Sequence, residues 1–138
     1  MHAPSARRTI AGAVALVLIV AVAAVIADAI DERSDIRTHA AAISGGDPKR
    51  GESMFIQYGC GGCHGAKHVR KATGMVGPPV DGIAVRVILA GRLENTPSNM
   101  QRWIRDPQQV SPGTAMPDLN VGERDARDIT AFLYTRAE

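Results

Sequence analysis

An all-α domain with long loops, set behind a single membrane-crossing helix, is the fold class this sequence predicts. Three observations carry it. Residues 9–27 form an uncharged, proline-free apolar run. The rest of the chain shows helix-start signals and helical apolar spacing but no set of alternating strands. Gly- and Pro-rich stretches separate those helices. At 138 residues the chain holds one domain of ordinary size and hardly two.

The apolar run, "TIAGAVALVLIVAVAAVIA", extends about 28 Å as a helix, close to the hydrocarbon thickness of a bilayer. Arg7 and Arg8 precede it, and Asp28, Asp31 and Glu32 follow. The positive-inside rule keeps residues 1–8 in the cytoplasm and exports everything after the run. "VIA" before Asp28 offers a signal-peptide cleavage site, but signal h-regions run to roughly 7–15 residues, so the length favours an uncleaved anchor. "RR" followed by Thr9 and Ile10 is weak as a twin-arginine signal. Residues 28–45 lack proline, are rich in helix formers, and read as a stalk that continues the membrane helix until Gly45 and Gly46 end it.

Residues 46–138 form the exported domain. Their 12 Lys/Arg against 10 Asp/Glu are too balanced to suggest nucleic acid. Their five aromatics, Phe55, Tyr58, Trp103, Phe132 and Tyr134, are few for the core of a domain this size, so something else should fill the interior. A first helix is expected from about Pro48 to Tyr58, with Asp47 as its N-cap. Residues 65–82 read as loop, and "IAVRVILA" at 83–90 as helix or strand. A helix capped by Thr96 ends at Pro107, which cannot continue the hydrogen-bond ladder. Residues 111–120 form a proline-stiffened loop. A final helix over 122–136 carries Ile129, Phe132 and Leu133 as an i, i+3, i+4 stripe.

The two cysteines of the chain stand in "CGGCHG", residues 60–65. A thioredoxin-like dithiol needs a strand before the motif and a parallel sheet around it, and a zinc site needs four ligands at set spacing. Neither pattern is present, and both leave His64 idle. Covalent haem uses all three residues: Cys60 and Cys63 supply thioethers, and His64 ligates the iron from one face.

Iron then needs a sixth ligand or an open site. Met54 and Met100 lie on expected helices, where core packing is the plainer role. Met75 is only 11 residues after His64, in a loop that must stay on the histidine's face if "GPP" packs there. Met116 lies 52 residues beyond His64, far enough to cross to the other face, and Pro112 and Pro117 stiffen its loop. Met116 is the expected ligand. His39, in the stalk, and His68, four residues past His64, read as solvated surface histidines.

Over residues 46–136 the chain resembles the class I c-type cytochromes. "GDPKRGESMFIQYGCGGCH" is similar to the family's N-terminal helix, where Gly51 permits close helix crossing and Phe55 packs beside it. "VGPPVDGIAVR" resembles the segment whose proline carbonyl, here Pro78, accepts a hydrogen bond from the axial histidine; the same likeness sets Arg86 near a haem propionate. "DPQQVSPGTAM" resembles the distal loop that ends in the methionine ligand. "DARDITAFLY" resembles the final helix. Trp103 falls where the family has an aromatic on the helix before that loop. The family's dense lysine ring is missing: Lys67, Arg70 and Lys71, with His68 between them, are the basic residues near the attachment motif.

The resemblance implies a cytochrome c fold around one haem c and outer-sphere transfer of one electron, with no small-molecule substrate and no enzymatic step. A neutral sulfur ligand and burial both favour Fe(II), hence a relatively high potential. The leading expectation is a membrane-tethered carrier from a quinol-oxidising complex to a terminal oxidase, its haem domain on the periplasmic side of a bacterial inner membrane. The alternative is a fixed haem subunit of a membrane complex such as a terminal oxidase, nitric oxide reductase or dehydrogenase. Haem-based catalysis or sensing ranks last, because "TAMP" supplies little distal polarity beyond Thr114.

Overall fold

The computed structural model describes residues 6–137, with side chains from residue 8 onward. Two units emerge, Met1–Asp35 and Ile36–Glu138. The described residues of the first are helical. Over residues 9–27, helix α1 (Ala6–Ser44) carries apolar side chains on every side, and Ile10, Val14, Leu16, Val20 and Val25 are each more than half exposed. A helix apolar all round that buries none of those side chains in protein suits a lipid surround. Its span from Arg8 to Ser44 is long and apolar enough to cross a membrane.

The second unit begins in the last turns of α1, where Ala40 and Ser44 are buried. Ser44 Oγ donates to Ala40 O at 2.6 Å, and Gln101 Nε2 donates to Ser44 O at 3.0 Å. The helix stops at Gly45, whose φ of +70° only glycine adopts without strain.

Helix α2, Pro48–Gln57, starts as its sequence dictates: the Asp47 carboxylate accepts from Lys49 N and Arg50 N, and Pro48 occupies the first helical position. Helix α5, Glu123–Tyr134, crosses it closely. A Cβ on Gly51 would lie 1.8 Å from Asp128 O, so no larger residue permits this approach. Phe55 and Phe132 pack at 5.4 Å between ring centroids. Asp128, buried on α5, accepts from Asp47 N at 2.7 Å and pairs with Arg50, which also meets Asp125 at 3.2 Å. Helix α3, Pro97–Arg105, adds Met100 and Ile104 to the same apolar cluster as Ile129 and Leu133.

The loops between these helices hold more order than their composition suggests. Residues 64–75 contain a short antiparallel pair, β1 (His64–Gly65) with β2 (Thr73–Met75), in register His64 to Met75. The ambiguous stretch 83–90 divides into a 3-10 turn, Ile83–Val85, and strand β3 (Ile88–Leu89), which pairs with β4 (Leu93–Glu94). Pro107 ends α3 yet opens a further single turn, α4 (Pro107–Val110), because the fixed φ that stops one helix suits the first position of the next.

Candidate functional site

A cavity of about 540 Å³ lies within the second unit, walled by apolar side chains from α2, α3 and α5, among them Phe55, Ile104, Ile129 and Leu133. All seven residues singled out from the sequence line it: Cys60, Cys63, His64, Pro78, Arg86, Trp103 and Met116.

One wall is the motif itself. Cys60 opens a 3-10 turn that follows Gly59, at φ +75°. Burial pushes its thiol up to about 11, far from the thiolate that a redox dithiol needs at neutral pH. The His64 ring stands with Nδ1 2.7 Å from Pro78 O. A carbonyl only accepts, so Nδ1 carries the proton and Nε2 keeps its lone pair for a metal. Gly77 N donates to Cys63 O at 3.0 Å, which brings the Gly77 backbone against the imidazole; a Cβ there would sit 2.4 Å from His64 Cε1.

The distal loop, residues 111–119, forms no helix or strand. Its order comes from one backbone bond, Thr114 N to Ser111 O at 3.0 Å, and otherwise from side chains. Gln108 Nε2 donates to Thr114 O at 2.8 Å and to Met116 O at 3.0 Å, and its Oε1 accepts from Gly113 N at 3.1 Å. Thr114 Oγ1 accepts from Met116 N at 3.4 Å, and Arg92 Nε donates to Ser111 Oγ at 3.1 Å. Among the other methionines, Met75 is 94% exposed, Met54 packs at the edge of the core, and Met100 is buried within it. His39 and His68 are exposed.

Sequence reasoning missed the residues that hold these walls in place. Asn95 donates to Ile83 O at 2.8 Å and Arg86 O at 2.7 Å, and accepts from Tyr134 Oη at 3.0 Å, which ties the segment bearing Arg86 to α5. Arg86 Nη2 donates to Pro79 O at 2.7 Å and Asp81 O at 3.2 Å. Asp81 accepts from Lys67 N at 2.9 Å and pairs with Arg136. Burial alone would raise the Asp81 carboxyl, but the Arg136 and Lys67 bonds outweigh it and hold the pKa below the usual value. Tyr58, on the cavity wall, donates to Asp125 at 2.8 Å, and that carboxylate keeps its phenol protonated to higher pH.

This donor set fits a covalent haem. Two thiols three positions apart and an imidazole with one nitrogen engaged and the other free line a single apolar cavity. Comparison with known proteins agrees. Residues 48–137 match the family model for Cytochrome c. Cytochrome c oxidase subunit 2 of Alkalihalophilus pseudofirmus is 34% identical over 85 residues, covering 61% of this chain and 24% of that protein. The same subunit of Bacillus sp. strain PS3 is 36% identical over 91 residues, covering 63% and 25%, and that of Bacillus subtilis is 29% identical over 84 residues, covering 56% and 24%. The chain thus spans about a quarter of the length of these relatives. No solved structure matches it. A mostly helical domain closed by the α2–α5 crossing, a cysteine pair and histidine on an apolar cavity, and a match over residues 48–137 together mean that the chain belongs to the cytochrome c family, with haem c as its covalent cofactor and electron transfer as its business.

Proposed function

We propose that this protein passes single electrons from a quinol-oxidising complex to a terminal oxidase, through a haem c ligated by His64 and Met116 on the outer face of the cytoplasmic membrane. The observation that carries the reading is the state of His64: with Nδ1 held by Pro78 O at 2.7 Å, Nε2 is the nitrogen left to bind iron. Bound haem c supplies an iron that exchanges one electron between Fe(II) and Fe(III). Cys60 and Cys63 fix the group by thioether bonds. Pro78 orients the imidazole and strengthens it as a donor. Met116, on the cavity wall in a loop braced by Gln108, would offer the iron a neutral sulfur as its second protein ligand. Phe55, Ile104, Ile129 and Leu133 exclude water, which raises the cost of an extra positive charge and favours the reduced state. Trp103 covers part of the wall, and Arg86, tied to the carbonyls of Pro79 and Asp81, sets a cation there for the haem propionates.

The outward orientation rests on Arg7 and Arg8 before the apolar helix and on the acidic residues after it. A second reading, a fixed haem subunit of an oxidase complex, is favoured by the relatives, which are themselves named cytochrome c oxidase subunit 2. Mild detergent extraction from native membranes followed by sizing separates the two. A carrier elutes as a small haem protein that a purified oxidase still oxidises, whereas a subunit co-elutes with oxidase activity. Ready binding of carbon monoxide to the reduced protein would overturn both readings, because it requires an open axial position.

A further inference from the structure

Gln108 is exposed to solvent, yet its amide makes three hydrogen bonds to a single loop. Such an amide has two donors and one acceptor oxygen, and here the geometry uses both ends. The nitrogen reaches the carbonyls of Thr114 and Met116, while the oxygen takes the amide of Gly113, where the chain turns at φ +82°. Its platform is rigid: α4 starts at Pro107, among the most deeply buried side chains of the domain, and Ser111 N closes the turn onto Pro107 O at 2.8 Å. Gln109, its neighbour, faces away, with Oε1 3.5 Å from Arg102 Nη2 on α3. Two adjacent glutamines therefore have different work, and only one serves the loop that carries Met116.

We propose that Gln108 is a positioning residue: by gripping the backbone at Gly113, Thr114 and Met116 itself it holds the methionine sulfur at the sixth position and sets how readily the loop lets go. This rests on Met116 being the axial ligand. The other bonds in the loop are fewer: Thr114 Oγ1 accepts from Met116 N at a long 3.4 Å, and Thr114 N donates to Ser111 O at 3.0 Å, which holds the start of the loop but not Met116. Without Gln108, the carbonyls of Thr114 and Met116 and the amide of Gly113 turn to water. The segment from Gly113 to Met116 then loses its bonds to α4, while Ser111 N stays on Pro107 O, and it samples open conformations more often.

The test uses the full-length haem-loaded protein in detergent, with Gln108→Ala, Gln108→Glu, Gln109→Ala and Met116→Ala. Readouts are the far-red sulfur-to-iron band as pH rises, carbon monoxide binding to the reduced protein, and hydrogen exchange of the Gly113 amide. Losing these bonds should favour loop release about tenfold, so in Gln108→Ala the band should disappear about one pH unit lower and carbon monoxide bind about tenfold faster. The Gly113 amide should exchange faster, while covalent haem and helix content stay unchanged. Gln108→Glu carries a distinct signature. Its carboxylate accepts from Gly113 but donates to neither carbonyl, so the defect persists at neutral pH and lessens as pH falls towards the ordinary Glu value of about 4.3, where the acid regains one donor. Gln109→Ala should match the parent in every readout. If Met116→Ala abolishes the band while Gln108→Ala behaves like Gln109→Ala, the proposal for Gln108 is overturned and the ligand reading stands. If the band survives Met116→Ala, the ligand reading falls and takes this proposal with it.

Discussion

Around His64 much of the chain is held by backbone bonded to backbone, Gly77 N to Cys63 O at 3.0 Å and Val80 N to Gly65 O at 2.9 Å, whereas around Met116 most of the bonds come from the side chains of Gln108, Thr114 and Arg92, beside one backbone bond from Thr114 N to Ser111 O at 3.0 Å. The first arrangement depends on missing side chains: a Cβ at Gly74 would meet Gly62 O at 2.3 Å, and one at Gly77 would meet the His64 ring. Segments packed that closely yield together or not at all. The second arrangement yields one bond at a time. The difference teaches that close backbone packing limits what the segment around His64 tolerates, while the loop that carries Met116 depends mostly on individual side chains, so substitutions on the two sides should fail in different ways.

Removing the covalent attachment should have the largest effect. With Cys60→Ala and Cys63→Ala together, a pyridine haemochrome assay should find no haem retained on the denatured chain, and the domain should lose most of its folded signal, because the cavity of about 540 Å³ is then without its filling. Haem still bound after acidic organic solvent would contradict the attachment. Next, Met116→Ala should leave covalent haem and fold intact while abolishing the far-red band and opening the iron to carbon monoxide. Survival of the band there, with its loss in Met100→Ala, would move the ligand.

Gly77→Ala tests the rigid side. The added methyl must push against the His64 ring or shift the backbone, which costs about 1–3 kcal/mol as overpacking does elsewhere, read as a lower urea midpoint of the haem-loaded protein. An unchanged midpoint would mean that this wall is softer than its packing implies. A smaller effect concerns acid. Because the folded-state pKa of Asp81 is depressed, its contribution to stability is present above the unfolded value of about 3.9 and is lost as pH falls through the folded value. Asp81→Asn should therefore lower stability at neutral pH and flatten its decline in acid, as followed by circular dichroism. Smallest of all, Met75→Ala, at a side chain 94% exposed, should change stability by less than about 0.5 kcal/mol and leave the spectrum alone.

How much of this was legible in the sequence follows the same division. The histidine side announces itself, because thioether attachment requires two cysteines and a histidine at fixed short spacing. Helix starts at Asp47–Pro48 and Thr96–Pro97 were equally plain, since each cap is a local rule that involves three or four neighbouring residues. Gln108 was not legible: a single helical turn has no periodicity to show which of two glutamines faces the loop. Asn95 reads as one more loop residue until Tyr134, 39 positions away, is seen to donate to it. The Asp81–Arg136 pair looks like ordinary surface charge at a separation of 55 residues. Strands of two or three residues are too short for alternation to register, so the pairing of His64 with Met75 was hidden inside an apparent loop.

The crossing of α2 and α5 also governs how the protein is made. Phe55 and Gly51 find their partners, Phe132 and Asp128, only when nearly the whole domain has been synthesised, since Asp47 and Asp128 are 81 positions apart. Until α5 arrives, the half of the core that covers the cysteine segment does not exist. At ~5–20 residues per second, a ribosome needs roughly four to fourteen seconds to go from Cys63 to Tyr134. Throughout that interval both thiols stay on an open chain. A rearranged chain that brought the two helices together early would instead close this part of the core over the cysteine segment before the rest of its walls had been made.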